Sequence, residues 1–154
     1  MSTSDAWLLE CGAEISIAVG DHEMVELLQR ERCQEVPGTP GYCSKVLVWN
    51  QSIVPVMDIA GLHENASGSR SDSYFCLLYY QEAPNSPLQL VAIRVERAPE
   101  RIRVDDAQVC EFPREFDHSR LKPVTLSCFT HKAKPVLILD IPGLCSDDFR
   151  DRIA

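Results

Sequence analysis

The side chains able to do covalent or metal chemistry are few in kind and poorly grouped. Seven cysteines stand at positions 11, 33, 43, 76, 110, 128 and 145, with no Cys-x-x-Cys pair among them. His22, His63, His118 and His131 are scattered. Cys128-Phe129-Thr130-His131 sets one cysteine near one histidine, and a tetrahedral zinc site would need two more ligands at matching spacing. The expectation is no metal and no cofactor. A cysteine nucleophile needs a base or a positive field to hold it as the thiolate, whereas most of these cysteines lie in apolar runs or beside acids, as in Cys110-Glu111. Asp105-Asp106 has the look of an acid pair, but adjacent strand residues point to opposite faces and cannot converge. Turn residues are the better account of them. Gly-x-Ser-x-Gly, P-loop and Gly-x-Gly-x-x-Gly patterns are all missing, which removes the common hydrolase and nucleotide-binding classes. No catalytic residue is expected. The thiols leave one alternative open, a small β-barrel enzyme or ligand-binding module using a reactive cysteine.

Composition narrows the partners. The 154 residues are 45% hydrophobic, enough to bury a sizeable core as one domain or two small subdomains. A formal charge of -8 opposes a nucleic-acid partner, because such binding is driven by clustered Lys and Arg neutralising phosphates. Anionic lipid is disfavoured for the same reason. Residues 1–5 lack a basic leader and no apolar run approaches the ~20 residues of a membrane span. A cytoplasmic protein without direct membrane insertion is expected, its odd and widely spaced cysteines reduced.

The elements that must carry any site read as strands. Residues 37–41 (PGTPG) force an ordered turn through two fixed φ angles and two permissive glycines. Residues 46–49 (VLVW) and 53–57 (IVPVM) flank polar Asn50-Gln51-Ser52, the pattern of a hairpin apolar on both faces. A small barrel has one inside, so the outer face requires cover from the rest of the chain or from a partner. Residues 15–19, 74–80, 88–95, 101–104, 124–129 and 135–141 alternate or run apolar as further strands. Residues 23–30 (EMVELLQR) place Met24, Leu27 and Leu28 on a helical stripe, which predicts a short helical turn running into a strand. Residues 63–73 are polar, rich in Ser and Gly, and read as an exposed loop where a subdomain boundary falls. Residues 147–154 predict a frayed terminal helix.

One internal echo stands out. Asp58-Ile59-Ala60-Gly61-Leu62 and Asp140-Ile141-Pro142-Gly143-Leu144 share Asp-Ile-x-Gly-Leu, each directly after a strand. The Asp can bond backbone N–H groups at the strand end, Gly permits an unusual φ and Leu returns to the core. Simple strand-ending chemistry accounts for the echo as well as two similar subdomains do.

At these residues a family resemblance enters. Glu26-Leu27, the turn at 36–40, Tyr42 and residues 46–59, ending in Ile53-Val54-Pro55-Val56-Met57-Asp58-Ile59, resemble the first half of the CheW family of chemosensory adaptors. Residues 91–97, 104–106 and 136–144 resemble its second half more loosely. The resemblance implies an all-β fold of two small five-stranded SH3-like β-barrels sharing a core, with short helical turns, over residues 14–144. The boundary between barrels would fall near 63–73, with 1–13 and 145–154 as flanking ends. It also implies a non-enzymatic adaptor coupling the cytoplasmic tip of a chemoreceptor to a CheA-type histidine kinase, recruited to receptor arrays. Where the family has Gly-Val-x-Asn-Leu-Arg-Gly, this chain has residues 45–51 as KVLVWNQ, so Asn50 stands at the arginine position, a mismatch that membership of a divergent branch, such as the adaptors of type IV pilus systems, would explain. Val48, Trp49, Asn50 and Gln51 at the hairpin tip are the expected partner-binding residues, with Trp49 as the anchor.

Overall fold

A computed structural model describes residues 3–29, 31–63 and 74–153. In chain order the elements are β1 (Thr3–Gly12), β2 (Ile15–Gly20), β3 (Met24–Gln29), β4 (Gln34–Glu35), β5 (Lys45–Trp49), β6 (Ser52–Met57), α1 (Ala60–His63), β7 (Tyr74–Tyr80), β8 (Gln89–Val95), β9 (Glu100–Asp105), β10 (Thr125–His131), β11 (Lys134–Leu139), α2 (Ile141–Leu144) and α3 (Asp147–Ile153). The strands form two sheets, one ordered β3-β7-β8-β6-β5-β4 and the other β10-β11-β2-β1-β9. The fold is mostly β, as expected, and each sheet belongs to one of two SH3-like barrels. Among the described residues no helix is long and apolar enough to cross a membrane.

The two sheets share one plan with the chain cut at different points. In the first, β6 runs parallel to β8, pairing Val56 with Ala92 and Met57 with Ile93. In the second, β11 runs parallel to β2, pairing Leu137 with Ile17 and Ile138 with Ala18. The hairpin β1-β2 therefore does for the second barrel what β7-β8 does for the first, although it opens the chain. The first barrel, β3 to β8, is inserted between β2 and β9. This corrects the expected boundary near 63–73: residues 64–73 lie outside the described residues, but β6 before them and β7 after them share one sheet. Residues 3–12, expected as a flank, form β1, paired with β2 on one side and β9 on the other. Phe149 of α3, also expected to flank, is buried against Tyr42 with ring centroids 5.6 Å apart.

Both missed features have local causes. The hairpin β1-β2 turns on Ala13 and Glu14, at φ 52° and 61°, so neither central position holds the glycine or asparagine such a turn favours, and Gly12 before them is the one local cue. Residues 24–29 form β3 throughout, with only a three-residue turn before it in place of the expected helical turn. A bulge between Met24 and Glu26 adds one residue to the strand. Met24 and Leu27 then pack into one cluster, and Val25 and Leu28 into another. An i, i+3 repeat made by a bulge imitates a helical stripe.

The Asp-Ile-x-Gly-Leu echo is structural. A constant offset of 82 residues relates Tyr42 to Val124, Asn50 to Lys132 and Asp58 to Asp140. Asp58 N donates to Tyr42 O and Asp140 N donates to Val124 O, each at 2.7 Å. A short helix, α1 or α2, follows each aspartate, and Asp140 Oδ1 accepts from Gly143 N at 3.2 Å.

Apolar burial is arranged in three layers. Leu28, Leu47, Val54, Phe75 and Leu77 fill the first barrel, and Leu8, Ala18, Ile102, Phe129 and Val136 fill the second. The largest cluster lies between them, joining Leu9, Ile15 and Ile17 of one sheet to Leu78, Val91 and Ile93 of the other. Neither barrel can expose its share of that layer without large apolar loss, so the two should unfold together. Trp7 sits on β1 and Trp49 on β5, one in each barrel. Fluorescence melts of Trp7→Phe and Trp49→Phe, each reporting the remaining barrel, should have slopes matching those of far-UV circular dichroism on the same variant. A separate, earlier transition in either barrel would show that the shared layer does not couple them.

Candidate functional site

The hairpin β5-β6 carries the predicted contact residues. Its strands pair Lys45 with Val56, Leu47 with Val54, Val48 with Ile53 and Trp49 with Ser52. The connection is Asn50-Gln51, at φ 49° and 67°. Positive φ at both central positions gives the twist that matches flanking strands, and it points both side chains outward from a tip held by paired strands.

Alternation then separates the four residues into different jobs. Leu47 and Val54 face the barrel interior and are buried. Trp49 lies on that same face, half-buried against the interior cluster, and its indole Nε1 donates to Glu26 Oε2 at 3.0 Å. Glu26 belongs to β3 at the far end of the sheet order. Trp49 thus ties β5 to β3 at the end of the sheet, a structural use beside the partner-anchor role expected of it. Val48 faces the other way and is 62% exposed, beside Ile53 at 75%. Val46 and Pro55, paired next along the same outer face, are half-buried. The hairpin is therefore apolar on both faces, as its sequence implies, but the chain leaves part of its outer face uncovered. The edge strand β4 pairs only with Lys45 and Val46, so it stops short of the tip.

Ile53 was not named beside Val48, although a two-residue turn at 50–51 fixes the two opposite one another by register alone. The bond from Trp49 to Glu26 carried no signal, since the two lie 23 positions apart.

Cys11, Cys76 and Cys145 give little support to a reactive-cysteine reading. Burial pushes Cys76 up to about 12, and burial above all does the same for Cys145. Burial, reinforced by Cys76 and nearby carboxylates, raises Cys11 strongly. A nucleophilic thiol needs the opposite displacement. Among the described residues no group of three or more His, Cys, Asp or Glu is placed to hold a metal.

Two SH3-like barrels fused through a common apolar layer, with strand edges and an open hairpin face on the surface, define a β-barrel scaffold. The model of the CheW-like domain family matches residues 5–149, and the chain belongs to that family. Its place is that of a scaffold or adaptor in chemotaxis signal transduction. Among solved structures it is similar to the scaffolding protein TtCheW from Thermoanaerobacter tengcongensis, at 15% identity and a TM-score of 0.74, covering 97% of this chain and 92% of that one. No curated protein matches it by sequence.

The division of labour along β5 is testable by stability alone. Trp49→Phe and Glu26→Ala should each destabilise the fold, and a double-mutant cycle should return a coupling of about 0.5 to 1 kcal/mol for the indole bond. Val48→Ala should stay within about 0.5 kcal/mol of the parent. Additive effects of Trp49→Phe and Glu26→Ala in chemical denaturation would dismiss the tie.

Proposed function

We propose that this protein bridges the cytoplasmic tip of a chemoreceptor and a CheA-type histidine kinase, with no reaction of its own. Its contact face is the outer side of the β5-β6 hairpin, where Val48 and Ile53 stand together, extended by Asn50 and Gln51 at the tip. The observation that carries this reading is the exposed Val48–Ile53 pair in a member of a scaffold family. Such a pair loses apolar surface to water in the free protein and regains it on docking against a complementary barrel. Trp49 serves the contact indirectly, by holding the strand that presents Val48. The protein acts in the cytoplasm and reaches the membrane through receptor arrays. Asn50 in place of the family arginine makes the receptor contact less ionic, in keeping with a divergent branch such as that of type IV pilus systems.

The test uses the regulatory domain of the histidine kinase encoded beside this protein. The parent should bind it at micromolar concentration with weak salt dependence. Val48→Glu with Ile53→Glu should lower affinity tenfold or more, about 1.4 kcal/mol, while leaving the melting temperature near the parent value. Normal binding by the folded double variant would refute the assigned face, and absence of parent binding would refute the coupling itself.

Receptor preference is a separate readout. Asn50→Arg introduces a five-donor cation at a position whose positive φ costs a non-glycine residue about 1 kcal/mol. The variant should remain folded and bind receptor tips typical of the family more tightly than the parent does. Equal affinity of the two proteins for such receptors would remove Asn50 from the contact.

A further inference from the structure

A second feature lies on the other barrel. The segment after β9 returns to β10, where Val109 bridges Phe129 in antiparallel register and Cys110 N donates to Cys128 O at 2.9 Å. Cys110 and Cys128 are therefore directly opposite one another, with side chains on one face. Their Sγ atoms lie 2.8 Å apart. Residues facing each other across a hydrogen-bonded antiparallel pair have Cα atoms about 5.5 Å apart, within the range a disulfide spans. Register alone has thus brought two chain-distant thiols into bonding geometry.

The two sulfurs are not equivalent. Cys128 is 3% exposed, at the centre of β10, and burial followed by its contact with Cys110 pushes its thiol up to about 12. Cys110 is half-buried at the sheet edge. Both line a surface pocket of about 310 Å³ together with Lys122, Phe112 and Leu126. Leu126 and Val109 beside it are 69% and 65% exposed, so the pocket opens to solvent.

We propose that Cys110 and Cys128 form a redox modification site, reduced as two thiols and oxidised by a hydroperoxide to an intramolecular disulfide. The Cys110 thiolate attacks the terminal peroxide oxygen. An S–O bond forms, the O–O bond breaks, and the departing alkoxide or hydroxide takes a proton to leave as alcohol or water. Cys128 Sγ then attacks the resulting sulfenic sulfur. The S–S bond forms, the S–O bond breaks, and hydroxide leaves with the Cys128 proton as water. The two sulfurs lose two electrons in total and the peroxide gains them. Cys128 needs no free thiolate in solution for this step, because the sulfenic sulfur is delivered against it. The disulfide clamps the excursion from 110 to 128, which carries Phe116 and Leu121 into the shared core, and a dithiol reductant reverses it.

Full-length protein treated with equimolar hydrogen peroxide, then alkylated and digested, should yield one linked peptide pair containing Cys110 and Cys128. Its melting temperature should rise by about 5 °C or more, returning to the starting value with dithiothreitol. Cys128→Ser should accumulate sulfenic acid at Cys110, trapped by dimedone as a mass adduct on that residue. Cys110→Ser should give neither the linked pair nor a dimedone adduct at Cys128. Circular dichroism and a melt on each variant ensure that folded proteins are compared, and Cys128→Ala replaces Cys128→Ser if the hydroxyl unfolds the strand. Persistence of both thiols after peroxide, or preferential linkage of any other pair, would overturn the proposal.

Discussion

The apolar layer between the sheets is the constraint on which the rest depends. Each barrel alone would have a small interior: the first is filled by Leu28, Leu47, Val54, Phe75 and Leu77 and a few neighbours. Domains of that size bury too little surface to be comfortable in isolation. The chain solves this by giving the strands two buried faces, so that β2 and β8 each serve their own barrel and the common layer. Its polar seam is equally specific. Arg94, 3% exposed, donates from Nη1 to Cys11 O at 3.4 Å and meets Glu96 Oε1 at 3.2 Å. Glu96 N donates to Glu10 O at 2.8 Å. A buried guanidinium needs such partners, and these join β1 of one barrel to the end of β8 of the other. Gly12 sits at this crossing at φ 93°, where an added Cβ would come within 2.6 Å of Glu96 Oε1.

How much of this was legible follows from what each pattern can encode. Strand runs such as 74–80 and 88–95 were plain, because residues buried on both faces leave uninterrupted apolar stretches. The hairpin turn at Asn50-Gln51 was plain too, since polar residues interrupt two β-branched runs. What failed were β1 and β3. In β1 the turn residues Ala13 and Glu14 contradict their own φ preference, and nothing local tells the first ten residues that their partner β9 lies nearly a hundred positions on. In β3 the bulge replaced a period of two by a spacing of three. The domain boundary failed for a topological reason: a barrel completed by the opening hairpin has no boundary that a composition shift could mark.

Within the hairpin tip, position was legible and role was not. Sequence places Val48, Trp49, Asn50 and Gln51 at one corner, and they are there. It cannot say which of Val48 and Trp49 faces inward, because both are apolar and the register of the pleat depends on which residue the core accepts. Size and aromaticity favoured Trp49 as an anchor, yet the acceptor Glu26 on β3 holds it to the barrel.

The repeated plan sharpens the meaning of the exposed pair. With the 82-residue offset, Val48 and Ile53 correspond to Thr130 and Pro135 of β10 and β11, which also pair with each other. Those two are half-buried, and the pairing next to them, Cys128 with Leu137, is buried where its counterpart Val46 with Pro55 is half-buried. The second hairpin gains its cover from the excursion that brings Val109 and Cys110 to β10, whereas among the described residues the edge of the first is paired by the two residues of β4. One plan has thus been finished in two ways. The barrel whose hairpin edge is covered carries facing thiols at the point of closure, and the barrel whose edge is open carries Val48 and Ile53 side by side on one hairpin face. Strand geometry alone does not require Val48 and Ile53 to be apolar, since the equivalent positions accept Thr and Pro. The docking proposed for that face gives these two side chains a use that the fold itself does not.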